Sequence, residues 1–457
     1  MSTPTPAETS AARPIPWRVA TVVGGAYLVQ GLVASMGVLM LGALAQLGTP
    51  LEEQVGVLIS GALPWVLKFG LALGFDLGPR WRPRLRALAL AVLNLGVALV
   101  FLRLAGLWTQ ASAGGSHAPA VAAIAPLWVG INALLATQDV LVDNLAVDAD
   151  PARASRATLG ALMGLGHALG FGLLGPLLLV PSVVASGMAT GLHRSVPMIV
   201  LVGLAIAGLT ATLPLARAPE EDPEADPEAD PEADPERPEA PARSSSPSAA
   251  LVLALAAGLA AFALVMTGPN LTQAVSAELL FNELRWDYAR YSQILVPLGA
   301  VLGLLGAAGA GPLSARLGPR RAGALAAALL GLGWIAFLAA RPLWLHTGTV
   351  VALAVVEGLL QPAVLVTLHA LALGLATRTR LPTTTFIAAM AAINLPRVFA
   401  PMLAVGLAER GWAALFIGAA VSTAAGAGLL AAFAALSTNP GDPDASEPGQ
   451  TPRSDLS

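Results

Sequence analysis

The sequence predicts an all-α integral membrane protein whose twelve transmembrane helices form two six-helix halves. Only 12% of its residues are charged and 56% are hydrophobic, whereas about a quarter of the residues of a soluble domain are charged. Apolar runs of about 20 residues, the length that crosses a bilayer, recur along the chain. An acidic, Pro-rich segment at 216–248 separates six of these runs from the other six. We therefore expect a multi-pass membrane protein.

The apolar runs define each half. In the first half, 17–215, the predicted spans are 17–45, 51–75, 86–108, 119–144, 156–181 and 195–215. In the second half, 249–436, they are 249–273, 288–311, 321–340, 348–372, 383–407 and 411–436.

Three polar segments flank or divide the halves. The N-terminus, 1–16, and the C-terminal tail, 437–457, are polar and are predicted to be disordered. The linker, 216–248, repeats Asp-Pro-Glu-Ala and cannot bury enough apolar surface to fold. We interpret it as a flexible connection; a regulatory or docking tail is the alternative.

Arginine placement predicts the orientation of the chain in the membrane. Positive charge concentrates in cytoplasmic segments near the membrane. One set of connecting segments holds Arg80, Arg82, Arg84, Arg86, Arg153, Arg156, Arg316, Arg320, Arg321, Arg378 and Arg380. The opposite set has mainly Arg194, Arg285, Arg290 and Arg410. We expect both termini and the linker to be cytoplasmic, in the cell membrane or in the inner membrane of a cell with two, and the protein to be a monomer.

Composition also argues against several classes of function. The chain has no cysteine, which excludes disulfides, thiolate catalysis and cysteine-based metal sites. Its five histidines are scattered, without the spacing of a helical metal site. A net charge of −3 gives no indication of nucleic acid binding. We expect no metal, no cofactor and no enzymatic activity, and the expected partners are a small molecule and the lipid bilayer.

The fourth span carries two aspartates, Asp139 and Asp143, on one helical stripe with Asn132. An ionised group at membrane depth costs roughly 2.5–3.5 kcal/mol on insertion scales. The stripe must therefore face protein or a water-filled cavity, where the acids can take a proton, a cationic substrate group or a basic partner. A structural role near the end of the helix is the alternative.

Three other charges lie at membrane depth. Lys68, the only lysine, is within span 2, where it predicts an internal partner or a substrate contact. Arg397 is within span 11 and requires an anion, either on the substrate or on an aspartate of the bundle. Glu357, within span 10, is a further candidate. We expect the other polar groups at depth, among them Gln30, His167 and His369, to make structural hydrogen bonds.

The two halves and their basic loops resemble the major facilitator superfamily. The loop "DLGPRWRPR" after span 2 corresponds to "SARLGPRRAG" after span 8. The first is a degraded form of the superfamily's Gly-x3-Asp-Arg-x-Gly-Arg-Arg loop, with Leu77 at the first basic position. The resemblance implies a gating loop containing Asp76, Gly78 and Arg80.

Within that superfamily, three segments resemble the muropeptide permease and acetyl-coenzyme A transporter group. They are "LPWVLKFGLALGFD", "ATQDVLVDNLAVD" and "AAINLPRVFAPM". The positions that match the motifs of the group are Lys68, Gln138, Asp139, Asp143, Asn394 and Arg397.

The resemblance implies a secondary active transporter that works by alternating access. We expect coupling to protons and a small anionic or amphoteric solute, such as a muropeptide or an acyl conjugate. A siderophore uptake permease of the same superfamily is one alternative. A transport-inactive membrane receptor or assembly factor is another.

Overall fold

A computed structural model describes residues 15–77, 82–114, 119–148, 153–178, 184–213, 249–376 and 379–437. Within these ranges twelve helices are long and apolar enough to cross a membrane, which confirms the predicted fold class. In chain order, the helices α1 to α12 are Trp17–Gln46, Leu51–Leu77, Pro83–Ala113, Val121–Asp148, Thr158–Leu178, Ser186–Ala211, Leu255–Glu283, Gln293–Ser314, Pro319–Ala339, Thr347–Ala376, Pro382–Glu409 and Trp412–Ala432. The linker, most of both predicted termini, Gly78 and Arg80 lie outside the described residues.

Most predicted spans differ from the observed helices by a few residues. The exceptions are α7, which runs from Leu255 to Glu283 where 249–273 is predicted, and α6. Its predicted start at residue 195 is wrong, because the apolar helix already begins at Ser186 and includes His193 and Arg194. Both side chains are exposed on the helix, so the hydrogen-bonded backbone continues through two polar residues. Helix α4 also extends beyond its predicted end to Asp148, whose carboxylate pairs with Arg86 at 3.2 Å.

Helix α3 shows how the bundle separates lipid from core. One face exposes large apolar side chains at Leu85, Leu88, Val92, Leu95 and Leu99, spaced three or four residues apart. The opposite face buries Leu90, Asn94, Val97, Phe101, Leu104 and Trp108. Residues at this spacing lie on one side of a helix. In a chain whose solvent is lipid, an apolar outer face requires no further partner.

Helices α2 and α11 are each interrupted near mid-length by proline. In α2 the regular helix ends at Leu67, three residues after Pro64, and Lys68 occupies the break. In α11 one segment ends at Asn394 and the next begins at Pro396, directly before Arg397. Proline lacks the N–H that would continue the hydrogen-bond ladder. The two interruptions lie beside Lys68 and Arg397, the two basic residues found at membrane depth.

Small residues bring α5 close to its neighbours. A Cβ added at Gly166 or Gly170 would collide with the backbone of α1 at Gly24 or Leu28. A Cβ at Gly160 would approach the Val366 carbonyl of α10 to 3.2 Å. Helix α5 thus packs against a helix of each half, and this close packing orders one wall of the interior.

Candidate functional site

Three ionisable side chains from α2 and α4 form a buried cluster. The Lys68 Nζ donates to Asp139 Oδ2, and Asp143 Oδ2 lies 3.8 Å from the same nitrogen. Lys68 is 2% exposed, Asp139 1% and Asp143 0%, so none of the three charges is solvated from outside the bundle. Of the alternatives that the sequence leaves open for Lys68, the structure shows an internal partner.

Neighbouring helices hold the two carboxylates in place. Gln30 of α1 donates from Nε2 to Asp139 Oδ1 at 2.9 Å, and the Tyr27 hydroxyl donates to Asp143 Oδ1 at 2.9 Å. The Lys68 Nζ also lies 5.3 Å from the centre of the Trp65 ring, within the range of a cation–π contact. Every member of the cluster is therefore oriented by more than one helix.

The cluster contains two carboxylates but only one ammonium. If all three groups are ionised, one negative charge is in excess, and an uncompensated charge in the interior is costly. Asp143 Oδ2 has no hydrogen-bond partner among the described residues. A proton bound by the pair of carboxylates would remove the excess charge. The arrangement is chemically suited to binding and releasing one proton.

A central cavity of about 80 Å³ borders this cluster. Among the described residues, Asp139 is the one acid that lines it, and α1, α2, α4, α5, α10 and α11 all contribute to its wall. The polar lining residues are Tyr27, Gln30, Trp65, Asn132, Asp139, His167, His369, Asn394 and Arg397.

Arg397 and Asn394 line the cavity from α11. The Asn394 amide donates to the Met390 carbonyl at 2.8 Å, within its own helix. Arg397 is half-buried, and among the described residues its guanidinium has neither an ion pair nor a hydrogen bond to a side chain or a carbonyl. A guanidinium stays protonated and offers five donors in a planar fork. Arg397 therefore presents an unmatched positive charge to the cavity.

The remaining predicted residues occupy different places. Gln138 is buried behind the cavity wall, where its amide donates to Asn94 of α3 at 3.1 Å. Glu357 accepts a hydrogen bond from the Trp334 indole of α9 at 2.7 Å and does not line the cavity. The structure therefore brings Asp139, Asp143, Lys68, Asn394 and Arg397 together at or beside the cavity, but not Glu357.

Of the predicted gating loop, Asp76 is described, and it joins α2 to the start of α11. Its carboxylate accepts hydrogen bonds from the backbone N–H of Thr383 at 3.2 Å and of Thr384 at 2.6 Å. Nearby, the Asn144 amide of α4 donates to the Thr383 hydroxyl at 2.9 Å. These bonds close the two halves against each other at this end of the bundle, which we call the Asp76 end.

Sequence reasoning missed several residues of the cavity. Tyr27 and Trp65 were not singled out, although Tyr27 is one of only three tyrosines in the chain and lies in an apolar run. His167 and His369 were expected to be structural, yet both line the cavity. A tyrosine, tryptophan or histidine within an apolar span indicates a candidate cavity residue. It does not indicate which side of the helix faces the cavity.

Comparison with known proteins gives a structural match but no sequence match. No family model matches the chain, and no curated protein matches it. The human organic anion transporter MFSD10 (TETRAN) superposes with a TM-score of 0.60 at 16% identity, over 92% of this chain and 100% of that one. A bacterial homologue of the iron transporter ferroportin, in its outward-facing state, gives a TM-score of 0.58 at 14% identity over 92% and 100%.

FucP, a major facilitator superfamily transporter in its outward conformation, gives a TM-score of 0.56 at 12% identity, over 91% of this chain and 98% of that one. Identities this low carry information about fold alone. Together with the twelve helices, these matches show that the chain has the fold of the major facilitator superfamily.

Proposed function

We propose that the protein is a secondary active transporter that moves a small anionic or amphoteric solute by alternating access, coupled to protons. The observation that carries the proposal is the central cavity, whose wall includes both Asp139 of the buried Lys68–Asp139–Asp143 cluster and the unmatched Arg397. The first can exchange a proton, and the second can hold an anion.

The placement of charge supports an anion rather than a cation as the transported species. Both aspartates near the cavity already have partners in Lys68, Gln30 or Tyr27. Arg397 is a cation whose charge no described residue matches. A carboxylate or phosphate can bind a guanidinium through two parallel hydrogen bonds. MFSD10, the human protein whose structure superposes on this chain, is an organic anion transporter, which agrees with this assignment.

The link between the cluster and the cavity supports proton coupling. Asp139 belongs to both, since it pairs with Lys68 and also lines the cavity. A proton on the aspartates changes the charge that an entering anion meets. An anion and a proton that enter together leave the interior closer to neutrality, and this lowers the electrostatic cost of moving them through a low-dielectric region.

Alternating access requires a contact between the halves that can open. We propose that the Asp76 end supplies it, because Asp76 and Asn144 bond to the first residues of α11. The identity of the solute, whether a muropeptide, an acyl conjugate or a siderophore, stays a prediction. A receptor or assembly factor without transport activity would retain the fold but show no flux.

Transport by Asp143→Asn tests the role of the cluster. The variant keeps the size of the side chain and an oxygen that can accept from Tyr27, but it has no titratable carboxyl. With purified protein in liposomes that hold a pH gradient, we expect loss of uphill solute accumulation and retention of solute exchange at equal pH. The matched control is Asp148→Asn on the same helix, whose 49% exposed side chain pairs with Arg86. Uphill transport at the wild-type rate by Asp143→Asn would contradict the coupling role.

A further inference from the structure

The C-terminal half of the chain brings a second unmatched polar group to the cavity wall, the Nε2 atom of His369. His369 lines the cavity from α10 and is 2% exposed. Its Nδ1 lies 2.8 Å from the Leu365 carbonyl oxygen of the preceding turn. Nε2 is buried and has no hydrogen-bond partner among the described residues.

The bond to Leu365 fixes the tautomer of the ring. A carbonyl oxygen only accepts, so Nδ1 must carry the hydrogen and donate it. In the neutral imidazole Nε2 then has a lone pair and no hydrogen, which makes it a hydrogen-bond acceptor. The neutral form suits the surroundings, because Lys68 and Arg397 are already cations of the same interior and a buried charge without a partner is costly.

Packing holds the ring where it is. The edge of the Tyr27 ring approaches His369 with 5.9 Å between the ring centres and 78° between the planes. On the other side a Cβ at Gly160 of α5 would lie 3.6 Å from the His369 Cβ, so α5 packs closely against this part of α10.

Buried acceptors in folded proteins are nearly always paired. From this unpaired acceptor in the wall of a cavity that also presents Arg397, we infer that His369 Nε2 accepts a hydrogen bond from the transported anion. The solute is then an organic anion that carries a hydroxyl or N–H donor in addition to its charged group. Arg397 binds the charge, and His369 selects for the donor. This inference rests on the proposed anion site.

Matched pairs of anions that differ only in the donor test it. Each pair is a hydroxy acid and its methyl ether: lactate and 2-methoxypropanoate, mandelate and 2-methoxy-2-phenylacetate, and 4-hydroxybenzoate and 4-methoxybenzoate. Binding to the purified full chain is measured by concentration-dependent thermal stabilisation. A buried acceptor left unpaired weakens binding about five- to 150-fold. We therefore expect at least one hydroxy acid to bind more tightly than its ether by a factor in this range.

Variants at position 369 connect the preference to the histidine. In His369→Phe, or in the smaller His369→Leu if the first variant fails to fold, the two members of a pair should bind equally. His369→Gln keeps an acceptor oxygen and should retain part of the preference. The control is His346→Phe, the same change at an exposed histidine between α9 and α10.

The outcomes separate this inference from the proposed function. Equal binding of acid and ether to the wild-type chain, or an unchanged preference in His369→Phe and His369→Leu, overturns the role of His369. Arg397→Gln should weaken both members of every pair, and unchanged binding in that variant overturns the proposed anion site. Stabilisation by none of these anions would overturn both.

Discussion

Lys68 is the residue on which the interior charge balance depends. It is the only basic side chain within 4 Å of the two aspartates, since the other ion pair among the described residues joins Arg86 to Asp148. Removing one partner of a buried ion pair is strongly destabilising, because the remaining charge is left without compensation. Replacing both partners by neutral groups is far better tolerated.

For Lys68→Met we therefore expect a loss of about 3–5 kcal/mol in the free energy of unfolding, because two buried carboxylates lose their cation. The double variant Lys68→Met with Asp139→Asn should recover most of that loss, since one neutral carboxamide removes a buried charge. Thermal unfolding of the purified protein and its yield in the monodisperse peak provide the measurements. Asp148→Asn is the control, with an expected change of less than about 1 kcal/mol, because the Asp148 side chain is half exposed. Equal stability of Lys68→Met and the wild type would show that the cluster does not depend on its cation.

The sequence identified the charged residues of the site but not their arrangement. Lys68, Asp139 and Arg397 are conspicuous because charges are rare in apolar spans. The contact between Lys68 and Asp139 joins residues 71 positions apart, and it depends on how α2 and α4 are rotated about their axes. Glu357 is also a charge in an apolar span, yet its carboxylate bonds to Trp334 of α9 and does not face the cavity. Only packing decides which side of a buried helix faces a cavity.

At the scale of helices, the sequence predicts where most spans lie but not every boundary or contact between them. Long apolar runs locate most spans, because the bilayer demands them whatever the tertiary structure is. The predicted start of α6 is wrong because His193 and Arg194 interrupt the apolar pattern but not the helix. The break beside Arg397 could be read from Pro396, since proline removes one backbone donor. The bonds that Asp76 makes to α11 could not be read, because they link residues more than 300 positions apart.

The contact between α2 and α11 has a simple electrostatic basis. The first N–H groups of a helix have no partner within the helix, and its N-terminus carries a partial positive charge. Asp76 supplies two acceptor oxygens and a negative charge to the second and third residues of α11, Thr383 and Thr384. The bond to Asn144 adds a third connection at the same place. This end of the bundle should open only when these bonds break.

Loss of the carboxylate in Asp76→Ala should therefore increase the population of molecules that are open at the Asp76 end. Replacing a capping residue by alanine costs about 0.5–2 kcal/mol, which corresponds to about a two- to thirtyfold change in an equilibrium constant. Spin labels on cysteines introduced at Leu77 and Leu381 would report the distance between α2 and α11. Glu52→Ala, an exposed acid in the first turn of α2 at its other end, is the control. An unchanged distance distribution in Asp76→Ala would mean that its bonds do not hold the ends together.

At the scale of the whole molecule, the two ends of the bundle differ in charge. Helix α11 begins beside Asp76 and ends at Glu409, so Arg410 lies at the end opposite to Asp76. Arg82, Arg84 and Arg86 lie at the start of α3, directly after the segment that follows α2, and therefore belong to the Asp76 end. Arginine is more abundant in the segments predicted for that end, and positive charge favours the cytoplasmic side. We therefore predict that the Asp76 end faces the cytoplasm.

This orientation determines from which side of the membrane a reagent can reach an introduced thiol. The chain has no cysteine, so Ser245→Cys and Glu409→Cys each carry a single thiol. In intact cells a membrane-impermeant maleimide should label Glu409→Cys, which is exposed at the end opposite to Asp76. Ser245→Cys, in the acidic linker, should react only after the membrane is permeabilised. The reverse pattern would place the Asp76 end outside. The bonds of Asp76 to α11 would then close the cavity toward the exterior, so that in this structure a solute could approach Arg397 only from the cytoplasm.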